Sequence, residues 1–107
     1  MNRVTIVRYA TKAGRADENE ALSRAVFDEL RLKQPKSVAY ALCRAGDDFL
    51  HVFINFESDS ADAVVELPSF KAFTANSAER QVAAPDAVRI STKVVDAYGF
   101  ERAMARV

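Results

Sequence analysis

Cysteine occurs once, at Cys43, in this chain of 107 residues. A single thiol forms no intrachain disulfide, and the setting expected for it is a reducing cytoplasm. Gly and Pro occur three times each, too rarely for a collagen-like or low-complexity chain. Basic and acidic residues balance at 15 each. A chain with no net charge offers no obvious basic face, so nucleic acid is not an expected partner. No apolar run approaches the about 20 residues of a membrane span, so no membrane partner is expected. Met1 to Ala10 also lacks the apolar centre of a signal peptide. Tryptophan is absent and His51 is the only histidine. One His and one Cys do not make a transition-metal ligand set. Asp47, Asp48, Glu57 and Asp59 read as turn residues rather than as carboxylate ligands. Glycine-rich phosphate loops, a nucleophile elbow and H-E-x-x-H are missing too, and no cofactor or metal is expected.

Half of the residues are hydrophobic. That is enough to fold, and the length sets a single domain over residues 1–107. Arg3 to Tyr9 is rich in β-branched residues and reads as a strand. Ala16 to Lys33 reads as a helix, with Leu22, Ala25, Val26, Glu29 and Leu30 on one stripe. Asp17 and Glu20 suggest a cap and an acidic first turn. Glu20–Arg24 and Glu29–Lys33 are i,i+4 pairs, and Pro35 stops the helix. Val38 to Arg44 is a second strand, Gly46-Asp-Asp48 a hairpin turn, and Phe49 to Phe56 a third strand. A short helical turn is expected around Ala61–Val65, then a helix from Pro68 to Arg80. Ala87 to Ala97 alternates as a fourth strand, and residues 101–107 form a tail without an assigned element.

The order βαββαβ packs most economically as an α+β, ferredoxin-like fold: a four-stranded antiparallel sheet with both helices on one face. The third strand is apolar on both its faces. A sheet with one wet face alternates instead, so both faces are expected to be covered. Helices cover one, and a second copy of the sheet is the simplest cover for the other. A chain this small buries only about 60–70% of its unfolded surface, which a subunit partner would improve.

Three stretches carry a family resemblance: Lys12-Ala-Gly-Arg-Ala-Asp-Glu18, Phe56-Glu-Ser-Asp-Ser-Ala61 and Leu67-Pro-Ser-Phe-Lys-Ala-Phe73. Over about residues 3–98 the chain resembles the antibiotic-biosynthesis-monooxygenase-like (ABM) domains of the dimeric α+β barrel superfamily. The resemblance implies two sheets joined in a homodimer and a pocket in each subunit between sheet and helices. It implies a small apolar or aromatic ligand. Some members oxidise polyketide-derived aromatics without metal or flavin, which makes cofactor-independent monooxygenation a candidate activity, while others degrade haem, isomerise lactones or have no known activity. The competing reading is a non-catalytic ligand-binding or stress-related dimeric barrel. Oxygenating relatives often carry a Trp near the end of the third strand and a Glu two residues before it. Phe56 and Ile54 stand there in this chain. Haem-degrading relatives place a His near Val64, Val65 and Glu66, where this chain has none, so haem degradation is not implied.

His51 titrates near neutrality in its ordinary state, so it is a candidate general base, with Asn55 on the same strand face to grip a polar substrate atom. Strand alternation sets His51 opposite Phe56. The resemblance puts the pocket on the Phe56 side, so His51 is expected as a hydrogen-bonded residue at the dimer interface. Tyr9 and Tyr40 are candidates to bind a phenolic or quinone-like ligand, as is Tyr98. Phe56, Phe70 and Phe73 are candidate pocket walls, and Thr74, Asn76 and Ser77 candidate polar groups of the second helix. Arg8 and Arg44, at strand ends, are candidates to hold a carboxylate. Cys43 has no base near it in sequence and is expected to be buried and inert.

Overall fold

The computed structural model describes residues 3–55, 62–82 and 88–99, apart from the side chains of Asn55, Asp62 and Ala63. The Asn55 side chain, Phe56 and the 101–107 tail therefore lie outside the described residues. The elements run β1 (Arg3–Ala10), α1 (Ala16–Lys33), β2 (Val38–Ala45), β3 (Asp48–Asn55), α2 (Asp62–Val65), α3 (Pro68–Ala75), α4 (Ser77–Arg80) and β4 (Val88–Lys93). The strands form one antiparallel sheet in the order β2-β3-β1-β4, the ferredoxin-like arrangement.

Helix α1 has the expected bounds, and the Glu20–Arg24 and Glu29–Lys33 pairs form. Its start differs from expectation. Arg15 is the N-cap and makes no side-chain capping bond, while Asp17 and Glu18 sit in the first turn and favour the positive helix end. The helix ends at Gln34, which takes a left-handed φ of 48° ahead of Pro35. Its buried stripe is Ala16, Asn19, Ser23 and Val26, so Ala25 faces solvent and two polar residues face in. Tight pairing of β2 with β3 turns at Gly46, whose φ of 64° suits a residue without a Cβ. The helix expected from Pro68 to Arg80 is divided at Asn76, which departs from helical geometry at φ −117°. Strand β4 stops at Lys93, short of Ala97.

The pairing register assigns the two sheet faces. One carries Thr5, Val7 and Tyr9 of β1 beside Phe53, His51 and Phe49 of β3, with Tyr40, Leu42 and Arg44 of β2. This face packs under the helices. Tyr9 and Phe49 join Ala16, Val26, Val64, Leu67 and Phe73 in the core. The other face carries Val4, Ile6, Leu50, Val52, Ile54, Ala39, Ala41, Cys43, Val88 and Ile90, none of which belongs to that core. Ile90 is 48% exposed and Val88 41%. The assignment of faces from sequence is thereby reversed: the odd-numbered residues of β3, not the even-numbered ones, lie beneath the helices. Cys43, expected to be buried, is exposed on the open face.

Candidate functional site

Alternation along β1 and β3 brings Tyr9 and His51 to the helix side as diagonal neighbours, Tyr9 paired with Phe49 and His51 with Val7. Helices α3 and α4 close over them, held by the hydrogen bonds from Lys12 N–H to the Arg80 carbonyl and from Val82 N–H to the Ala10 carbonyl. Between sheet and helices lies a cavity of about 220 Å³. Thr5, Val7, Tyr9, His51 and Phe53 form its sheet side, and Phe70, Phe73, Thr74 and Ser77 its helix side. Thr5, Tyr9, His51 and Phe73 are buried, whereas Val65, Thr74 and Arg89 are exposed and mark the mouth. Among the described residues no carboxylate lines this cavity, and Arg89 brings a positive charge to its edge.

His51 is 3% exposed and surrounded by rings. Tyr9, Tyr40 and Phe53 stack alongside it at centroid distances of 5.3, 5.8 and 6.2 Å, and Phe73 lies tilted at 5.7 Å. Its Nε2 is hydrogen-bonded to the Tyr9 hydroxyl at 2.8 Å, and its Nδ1 to the Tyr40 hydroxyl. Burial lowers its pKa from 6.5 to about 4, so the imidazole is neutral at physiological pH. Burial raises the Tyr9 pKa to about 12 against the opposing pull of the Asn19 hydrogen bond and the Arg80 charge. Tyr40 shifts upward as well, chiefly through burial.

The chain of hydrogen bonds continues behind Tyr9. Asn19 Nδ2 donates to the Tyr9 hydroxyl at 2.8 Å, and Arg80 Nε donates to Asn19 Oδ1 at 3.2 Å. Arg80 is fully buried. Its Nη2 donates to the Phe73 carbonyl at 2.6 Å and its guanidinium lies 5.1 Å over the Phe73 ring, while Nη1 meets no partner among the described residues. No ion pair neutralises it among the described residues, so a positive charge sits in the interior behind the cavity.

Of the residues singled out in the sequence, Tyr9, His51, Phe70 and Phe73 line this one cavity, with Thr74 and Ser77 at its rim. Tyr40 stands behind His51, stacked between Phe27 at 4.5 Å and Phe53 at 4.3 Å. His51 thus belongs to the helix-side cavity. The expectation of an interface histidine fails because the pocket lies on the odd side of β3. Arg44 does hold carboxylates, those of Asp17 and Glu20, both at 2.9 Å. Arg8 lies on the open face, and Tyr98 is 89% exposed. Asn19 and Arg80 were not anticipated. The signal for Asn19 was present, since it shares the helical spacing of Ala16 and Val26. Nothing local in the sequence marks Arg80 as buried. Among the described residues no three His, Cys, Asp or Glu side chains gather to hold a metal, and no helix is long and apolar enough to cross a membrane.

No family model matches the sequence, and no curated protein matches it either. Solved structures do match. Rv0793 from Mycobacterium tuberculosis aligns with a TM-score of 0.74 at 14% identity, over 91% of this chain and 98% of that one. A proposed antibiotic biosynthesis monooxygenase from Caulobacter crescentus aligns with a TM-score of 0.74 at 15% identity, over 89% and 91%. A second such protein, from Nitrosomonas europaea, gives 0.72 at 13% identity, over 88% and 90%. Identities this low carry the architecture and not the activity. The chain shares the ferredoxin-like α+β fold of these structures.

Proposed function

We propose that this protein is a cytoplasmic homodimer that binds a small apolar or aromatic molecule in the cavity under α3 and α4 and oxygenates it without a cofactor. The observation that carries the reading is the cavity itself. It joins aromatic walls at Phe53, Phe70 and Phe73 to a hydrogen-bonded Tyr9–His51 pair at its floor. Its about 220 Å³ lies below the roughly 300–1,000 Å³ of drug-sized sites, which limits the occupant to one or two rings. A neutral histidine hydrogen-bonded to a tyrosine at the cavity wall, its pKa lowered by burial, supports this reading. The open sheet face supports the dimer, because a contiguous aliphatic surface of this kind is usually covered.

In this reading Tyr9 is the polar group the ligand meets, with His51 and Tyr40 ranked behind it and Phe70 and Phe73 over the ring. Asn55 is retained as a second catalytic candidate and Phe56 as a wall. In a cofactor-free oxygenation the substrate supplies the electrons to oxygen, so the protein must orient the substrate and stabilise charge on it. Oxygen uptake with anthrone- and quinol-type substrates tests the activity. Titration of labelled protein with bicyclic aromatics, followed by NMR shifts at Tyr9, His51 and Phe73, tests the site. Shifts without oxygen uptake across a panel of substrates establish the non-catalytic binding module. An absence of shifts removes the ligand reading altogether.

A further inference from the structure

The hydrogen-bond chain has more donors than internal acceptors: Arg80 Nη1 meets none among the described residues, and one further hydrogen is left over among Tyr9, His51 and Tyr40. A guanidinium only donates, so Arg80 Nε fixes Oδ1 of Asn19 as the acceptor and turns Nδ2 toward Tyr9. One lone pair of the Tyr9 oxygen is thereby used. The remaining choice concerns His51, whose neutral ring donates through one nitrogen and accepts through the other. If Tyr9 donated to Nε2, then Nδ1 would donate to Tyr40. The Tyr40 hydrogen would then have no acceptor among the described residues, since His51 is the only partner of that hydroxyl and Tyr40 does not line the cavity. If Tyr40 donates to Nδ1 instead, Nε2–H donates to Tyr9, and only the Tyr9 hydrogen is left over. Tyr9 does line the cavity. A spare hydrogen there is met by water or ligand, whereas a spare hydrogen on half-buried Tyr40, stacked between the Phe27 and Phe53 rings, meets no acceptor among the described residues.

We infer that two donor chains, Arg80–Asn19 and Tyr40–His51, converge on the Tyr9 oxygen, leaving the Tyr9 O–H aimed into the cavity to bind an acceptor oxygen of the ligand, such as an aryl ketone, quinone or phenolate. An oxygen that accepts two hydrogen bonds is polarised and becomes a stronger donor. The lack of carboxylates around the cavity among the described residues and the charges of Arg80 and Arg89 favour the same electron-rich partner. His51 and Asn19 are positioning residues in this scheme, acting on the ligand through Tyr9. The inference rests on the proposed ligand cavity and adds which chemical group that cavity selects.

The single histidine makes a direct test possible, because its side-chain nitrogens are the only imidazole signals in the protein. Long-range proton–nitrogen NMR is expected to find the proton on Nε2. A proton on Nδ1 overturns the inference. The second arm compares 1-indanone with indane, which differ by the carbonyl alone. Wild-type protein is expected to bind the ketone roughly three- to tenfold more tightly, the worth of one hydrogen bond. Tyr9→Phe is expected to erase that ratio while retaining indane affinity. Asn19→Asp keeps the shape and the tyrosine but offers Tyr9 an acceptor, so it too is expected to erase the ratio, with His51 still protonated at Nε2. Equal binding of the two probes by wild type, or a ratio that survives in both variants, overturns the inference while leaving the cavity reading intact. If neither probe binds, the cavity reading fails, and the position of the histidine proton still decides the hydrogen-bond scheme.

Discussion

The two faces of the sheet use the same strands to opposite ends. Under the helices stand Tyr9, Tyr40, Phe49, His51 and Phe53, stacked on one another and tied by hydrogen bonds to Asn19 and, through it, Arg80. On the open face the central row is Ala41, Val52, Ile6 and Ile90, aliphatic from edge to edge. The aromatic face is specific: each ring has a partner and each buried polar group a direction. Its aliphatic counterpart is adhesive, with area to bury and nothing to orient. In the proposed function one strand supplies the ligand site on its odd residues and the association surface on its even ones.

The largest expected effect is on the open face. Val52→Asp places a carboxylate at the centre of the aliphatic row. A two-fold contact would bury that charge twice, at a cost of several kcal/mol each time. Light scattering is expected to show a wild-type dimer and a variant monomer at micromolar concentration, with association weakened at least about a thousandfold. A Val52→Asp dimer as tight as wild type places the subunit contact elsewhere. On the helix face, Phe49 is 1% exposed, stacks on Tyr9 at 5.7 Å and lies under Arg44 at 5.6 Å. Phe49→Ala is expected to cost about 3–5 kcal/mol in denaturant unfolding. Leu50→Ala, one residue along and on the open face, is expected to cost clearly less when both changes are measured in the monomeric Val52→Asp background. Equal costs would abolish the distinction between the faces.

Much of this arrangement was legible in the sequence. Periodicity placed α1 to the residue, because an amphipathic run between Gly14 and Pro35 has few alternatives. The sheet order followed from the alternation of elements. The choice of face was not legible in β3, where Leu50, Val52 and Ile54 are as apolar as Phe49 and Phe53. Alternation finds two faces but does not say which one meets helices. The better clue lay in the flanking elements: a helix that buries Asn19 needs a hydrogen-bonding partner on the sheet, and Tyr9 offers one, while buried Ser23 donates back to the Asn19 carbonyl. Arg80 was invisible for a different reason. Its burial depends on α4 being tied to the end of β1 through Lys12 and Ala10, a long-range contact without a local pattern.

A pH titration sharpens the comparison with a somewhat smaller effect. The His51 pKa is about 4 in the folded chain against 6.5 for an unconstrained imidazole. Between those values the unfolded chain takes up a proton that the folded chain declines. Stability is therefore complete above about pH 6.5 and falls as the pH drops toward 4, by on the order of 3 kcal/mol. His51→Gln, with no proton to gain, is expected to flatten this window in urea unfolding. An unchanged slope in that variant would assign the acid sensitivity to other groups.

The smallest effect separates the helices from the sheet. Glu29 of α1 accepts hydrogen bonds from the Ser69 backbone N–H at 3.0 Å and the Ser69 hydroxyl at 2.6 Å, and pairs with Lys33 at 3.1 Å. It thereby satisfies a first-turn N–H of α3 from a neighbouring helix. The Ser69 bonds come first and Lys33 second in lowering its pKa from 4.5 to about 2. A lowered carboxylate pKa contributes stability above about pH 4.5 that is lost as the pH falls toward 2, below most of the histidine window. Ser69→Ala removes the hydroxyl donor and leaves the backbone one. The variant is expected to lose about 1 kcal/mol at neutral pH, with less further loss below pH 4.5 and no change between pH 6.5 and 4.5. A Ser69→Ala variant that also altered the upper window would mean that the α1–α3 contact and the Tyr9–His51 cavity respond as one unit.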